Sequence, residues 1–169
     1  TDGLHAIAMP PADRPIATAL RMARGMMVSA EPDDDTGAFL AGIERALERG
    51  VRLLQLRARH AGPARLRELA TAVQRLAQAH GARVLINGEP GLAIELGLDG
   101  VHLPASALTP VRPVPPGMLC GASCHDARQL AAALVAGVDY VVLGPVAETA
   151  SHPGAAPLGW QAAAALIED

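Results

Sequence analysis

A chain of 169 residues suggests one domain with a sizeable core; half the residues are hydrophobic and only 2% aromatic, so that core must be built from Ala, Leu, Val and Ile. Fourteen basic and seventeen acidic residues give a net charge of -3 with no basic block or aromatic-basic stripe, which removes the support for nucleic-acid binding. No apolar run reaches the roughly 18 residues of a membrane span, and the first residues lack the charged-then-apolar order of a signal peptide, so no membrane partner and a cytoplasmic location are expected.

Residues 1–25 hold Met9-Pro10-Pro11 and Pro15 and no sustained period, which predicts a linker with at most a short helical turn. The chain starts at Thr1 without an initiator Met, so this segment is read as a linker or the remnant of an upstream domain, and residues 26–169 as the domain proper. A regular alternation begins at Met26, where Met26 to Ala30 reads as a first strand. Phe39, Leu40, Ile43 and Leu47 then recur at helical spacing over 36–49, closed by Gly50. Val51 to Arg57 is the second strand. A helix over 63–80 follows, with Pro63 in its first turn and Leu66, Leu69, Val73 and Leu76 on one face.

Gly81 ends that helix and Ala82 to Asn87 is the third strand. Pro90 to Leu96 predicts a short helix, and 99–103 the fourth strand. Pro104, Pro110, Pro113, Pro115 and Pro116 leave room for only a brief helix between residues 104 and 117. Met118 to Ser123 is the fifth strand, 126–136 a helix closed by Gly137, 138–143 the sixth strand, and 159–168 a last helix.

Six strand–helix units imply an α/β fold with parallel strands and right-handed crossovers. A TIM-type (β/α) barrel and an open doubly wound sheet both fit. The barrel is preferred because no Gly-x-Gly-x-x-Gly turn is present and polar residues follow several different strands. A closed barrel needs eight units, so about six of eight are expected here, the rest lying in a continuation of the chain or in a partner.

Those polar residues are Gln55 and Arg57 after strand two, Asn87 after strand three, His102 at the end of strand four, Ser123, Cys124 and His125 at the end of strand five, and Thr149, Ser151 and His152 in the loop after strand six. In a barrel such ends converge on one mouth. An arginine there needs an anionic partner, either an internal carboxylate or a bound phosphate. His125 suits acid–base work because imidazole titrates near neutrality, and equally suits a structural hydrogen bond. Cys120 and Cys124 lack metal-site or redox spacing and read as reduced, semi-buried thiols rather than nucleophiles. A zinc site from His102, His125 and His152 has suitable residue types and no local spacing to support it.

In order, Gln55-Leu56-Arg57-Ala58-Arg59, Leu85-Ile86-Asn87, Asp99-Gly100-Val101-His102-Leu103, Gly121-Ala122-Ser123-Cys124-His125 and Gly144-Pro145-Val146 with Thr149 to His152 resemble the motifs of the thiamine-phosphate synthase/TenI superfamily. The resemblance implies a phosphorylated thiazole or pyrimidine ligand, with Gln55, Arg57, Arg59, Asn87, Ser123, Thr149, Ser151 and His152 binding substrate or phosphate. It also implies magnesium in the synthases, but the carboxylates that would hold it are missing after strands three and four, where Gly88 and Pro104-Ala105-Ser106 stand. No metal or other cofactor is therefore expected. The departures are more similar to the TenI branch of thiazole tautomerases, which implies that His125 is the catalytic acid–base. Three functions stay open: a TenI-type tautomerase, a thiamine-phosphate synthase with an altered metal site, and a non-catalytic regulatory domain. The run from Ser123 to Trp160 also resembles a TenI-type domain fused behind a Nudix hydrolase in some bacteria, which implies such a covalent partner upstream. A homo-oligomer is compatible with the sequence.

Overall fold

The computed structural model describes residues 6–8, 25–148 and 156–168. In chain order the elements are β1 (Ala6–Ala8), β2 (Met27–Val28), α1 (Thr36–Glu48), β3 (Leu53–Leu56), α2 (Pro63–Ala79), β4 (Arg83–Asn87), α3 (Pro90–Leu96), β5 (Gly100–Leu103), a 3₁₀ turn (Ala105–Ala107), β6 (Leu119–Cys124), α4 (Ala127–Ala136), β7 (Tyr140–Leu143) and α5 (Trp160–Glu168). They fall into two compact units, residues 13–102 with 114–119, and residues 1–12, 103–113 and 120–169.

The first unit is a run of parallel strands. β2 pairs with β3, β3 with β4 and β4 with β5, all parallel, in registers that include Val28↔Gln55, Gln55↔Leu85 and Asn87↔His102. All of β3, and Val84 to Ile86 of β4, are buried. Continuous burial, rather than alternation, is the mark of a parallel strand covered on both faces. Leu66, Leu69, Ala70, Val73 and Ala77 of α2 are buried at three- and four-residue spacing, the stripe a helix needs to cover a sheet. Leu54, Leu56, Leu69, Val73, Val84, Leu85 and Ile86 are fully enclosed. Each such side chain contributes about 1.5–3 kcal/mol relative to exposure, before entropy is charged against it.

In the second unit β6 and β7 pair in parallel, with Gly121↔Tyr140 and Ser123↔Val142 among the register pairs. The Tyr140 ring lies directly over Gly121, where a Cβ would fall 2.0 Å from its Cζ. β1 pairs with β7 antiparallel, Ala6↔Leu143 to Ala8↔Val141. The linker reading of residues 1–25 misses this strand. Three residues cannot establish a period, and the pairing comes from a partner more than 130 positions further along the chain.

The two units share one junction chemistry. α3 and α4 each end on a left-handed glycine, Gly97 (φ 61) and Gly137 (φ 67). Two residues later an aspartate locks onto the strand beside it. Asp99 donates its backbone N–H to the Val84 carbonyl (3.1 Å), and its Oδ2 accepts from the Val84 N–H (2.8 Å). Asp139 does the same with Cys120, at 2.6 and 2.8 Å. Asp139 also accepts from Arg112 (2.6 Å), whose other nitrogen donates to the Gly137 carbonyl. Each junction thus starts a strand in fixed register.

Candidate active site

In the first unit the candidate residues lie at the carboxyl ends of β3 and β4. Side chains alternate along a strand, and register partners on parallel strands share a face, so Gln55, Asn87 and His102 lie on one face of the sheet. Gln55 is buried and Asn87 half-buried. Arg57 directly follows β3. Its backbone is held by buried Ser29, whose Oγ accepts the Arg57 N–H at 3.0 Å. Among the described residues the guanidinium–carboxylate pairs are Arg67–Glu95 and Arg112–Asp139, and Arg57 forms none. The internal ion pair that would explain Arg57 structurally is therefore not found among them. Arg59 is exposed. Burial holds the His102 imidazole down to about 4, so this ring is neutral at physiological pH.

Glu31 is a feature of this edge that sequence reading passes over. Its Oε1 accepts the His60 backbone N–H at 2.9 Å, while Oε2 is buried and accepts no hydrogen bond among the described residues. Glu31 heads the acidic stretch Glu31-Pro32-Asp33-Asp34-Asp35, which reads as solvated, and no local signal distinguishes it.

In the second unit β6 ends at Cys124, so His125 leaves the strand alternation and need not share the face of Ser123. Ser123 remains in β6, half-buried, in register with Val142. His125 sits one residue before the N-cap of α4. Asp126 Oδ1 accepts from the Gln129 N–H (2.7 Å), and Gln129 Oε1 accepts from the His125 N–H (2.8 Å), a reciprocal pair that closes the first turn. The His125 ring points Nδ1 at the Gly144 carbonyl. A carbonyl only accepts, so Nδ1 carries the proton and the neutral ring has its basic lone pair on Nε2. The ring lines a groove of about 530 Å³ with Pro104, Ala105, Ser106, Leu108, Arg128, Gln129 and Ala132. Of these, sequence reading singles out only His125. An arginine and a glutamine on an exposed helix read as a solvated face.

Cys120 and Cys124 are free and fully buried, where semi-buried thiols are expected from the sequence. Burial pushes both up to about 11, so neither is a thiolate near neutrality, and a nucleophilic Cys124 has no support. Thr149, Ser151 and His152 lie outside the described residues. Among the described residues no three His, Cys, Asp or Glu side chains converge as metal ligands. Gly88 and Pro104-Ala105-Ser106 offer no carboxylate where the resemblance would put the magnesium ligands, and the histidine zinc site would need His152, which lies outside the described residues. Among the same residues no helix is long and apolar enough to cross a membrane.

The fold is shared with the solved thiamine phosphate pyrophosphorylase of Pyrococcus furiosus (TM-score 0.71, 19% identity, covering 85% of this chain and 69% of that one), a likeness of fold alone. The chain is thus an α/β protein of TIM-barrel type, with six of its strands in parallel pairings. Its sequence matches the family described as thiamine monophosphate synthase over residues 26–169, and the chain belongs to that family. It is 40% identical over 131 residues to the thiamine-phosphate synthase of Thermus thermophilus, covering 76% of this chain and 63% of the relative. Over 148 residues it is 37% identical to the thiamine-phosphate synthase of Chromobacterium violaceum, covering 83% and 72%. The chain spans between 54% and 66% of the length of three curated relatives that it matches.

Proposed function

We propose that this chain is a thiamine-biosynthesis domain that binds a phosphorylated thiazole and moves a proton on its ring, as a thiazole tautomerase does. The observation that carries the reading is the His125 ring. It lines a groove, and its Nδ1–H is committed to a backbone carbonyl, which leaves Nε2 as the basic atom. Such a base takes a proton from one ring atom of a thiazoline and returns it to another, so the reaction is balanced without a co-reactant. Arg57, Arg59 and Asn87, with Gln55, are assigned to phosphate and substrate binding in the first unit, and Ser123 to the same task in the second; Thr149, Ser151 and His152, outside the described residues, are assigned to it on the resemblance alone. The family match and the lack of a carboxylate partner for Arg57 among the described residues support an oxyanion ligand.

The names of the relatives favour a second reading, condensation of a pyrimidine pyrophosphate with the thiazole phosphate. Against it stand Gly88 and Pro104-Ala105-Ser106, at the positions where the resemblance would put the magnesium carboxylates.

The test is turnover of thiazole and thiazoline phosphates, with and without magnesium and a pyrimidine pyrophosphate. His125→Ala and His125→Asn should each lower kcat by about 10²–10⁴-fold with affinity within a few-fold of wild type. Arg57→Ala should mainly weaken binding. Full turnover in His125→Ala, or no isomerisation of any thiazole phosphate by the wild type, sinks the tautomerase reading. Magnesium-dependent condensation would install the synthase reading, and binding without turnover the regulatory one.

A further inference from the structure

The groove beside His125 has a composition that states what it would hold. Pro104, Ala105, Leu108 and Ala132 supply apolar wall; Ser106 and Gln129 supply neutral polar groups; Arg128 is a fixed cation. Among the described residues no carboxylate lines it. Arg128 pairs with no carboxylate among the described residues. It sits three residues beyond His125, on the exposed first turn of α4, whose backbone is locked by the Asp126–Gln129 and Gln129–His125 hydrogen bonds. An amphipathic cleft whose charged wall is a lone guanidinium suits a small, flat, apolar ring bearing an oxyanion. The ring would lie against the apolar wall, and the planar guanidinium fork matches two oxygens of a carboxylate or a phosphate.

We propose that this groove is the ligand's seat beside His125 and that Arg128 holds an acidic group of that ligand, which makes it a specificity-determining residue. The inference rests on the reading of His125 as the proton-transfer group and adds to it the side from which the ring is presented and the group that selects it.

Three probes test it on the 169-residue chain: a thiazole phosphate, the same compound with a ring carboxylate, and the uncharged thiazole alcohol. Affinity is measured by calorimetry, and occupancy of the groove by the His125 ring signals in NMR, assigned with His125→Asn. For wild type, the acidic probes should shift the His125 signals on binding. Arg128→Ala should weaken at least one acidic probe by about tenfold or more, the loss expected for one charge-assisted contact, and leave the alcohol within about twofold. The acidic probe that loses affinity identifies the group Arg128 holds. Arg128→Lys, which keeps the charge without the fork, should fall between. Circular dichroism confirms that the exposed substitution leaves the fold intact. Equal losses for acidic and neutral probes, unchanged affinity in Arg128→Ala, or binding that leaves the His125 signals unmoved would each overturn the proposal. Turnover with unaffected Arg128→Ala overturns this inference and leaves the tautomerase reading standing. Arg128-dependent binding without turnover does the reverse.

Discussion

His125 is positioned by three groups that are not chemical participants themselves: the Gly144 carbonyl at Nδ1, the Gln129 amide at its backbone N–H, and Asp126, which fixes Gln129 in turn. Asp126→Ala removes the N-cap of α4 and should cost about 1 kcal/mol in urea unfolding, the usual worth of such a cap. A second single-residue effect belongs to His102. Its imidazole is held down to about 4 by burial, against about 6.5 in an unfolded chain, so between those values the unfolded state binds more protons. Stability is therefore complete above about pH 6.5 and is lost as pH falls towards 4, by on the order of 3 kcal/mol in all. Urea unfolding at pH 7.5 and 4.5 should show a smaller acid loss for His102→Gln than for wild type. Equal losses in the two proteins would mean that His102 is not the group responsible.

At the level of elements, the glycine–hydrophobe–aspartate junction appears twice with different reinforcement. Among the described residues the Asp99 carboxylate accepts from a backbone N–H, whereas Asp139 is almost fully enclosed and also receives Arg112. Removing one partner of a buried pair strands the other, so Asp139→Ala should cost about 3–5 kcal/mol and Asp99→Ala about 1–3 kcal/mol. Comparable losses in denaturant melts would show that Arg112 adds nothing. The β6–β7 contact makes a third test. A methyl at Gly121 would collide with the hydroxyl-bearing edge of the ring of Tyr140, the chain's single tyrosine. Gly121→Ala should destabilise by about 1–3 kcal/mol and change the near-ultraviolet dichroism of that ring, because overpacking must be relieved by moving it.

For the whole molecule, the six parallel strands and the five helices among the described residues were legible because each carries its own signal within a few residues. Leu53–Leu56 and Val84 to Ile86 are continuous apolar runs, α1 and α4 begin on aspartate caps, and α3 and α4 stop at Gly97 and Gly137. The candidate residues Gln55, Arg57, Asn87, Ser123 and His125 were legible too, as polar groups standing where apolar runs end. β1 was not, because a strand of three residues is defined by its pairing with β7 and not by its own composition. The groove was not either. Ser106, Arg128 and Gln129 stand on a 3₁₀ turn and an exposed helix face, and nothing local separates a binding wall from solvated surface. The sequence by itself determined the alternation of strands and helices, the family and the polar residues at strand ends, since periodicity, caps and motifs are properties of neighbours in the chain. Only the tertiary structure decided that β6 stops at Cys124, that His125 therefore turns its Nδ1 to Gly144, and that Arg128 lines a groove with it, because these follow from contacts between segments whose separation along the chain leaves no trace in local pattern.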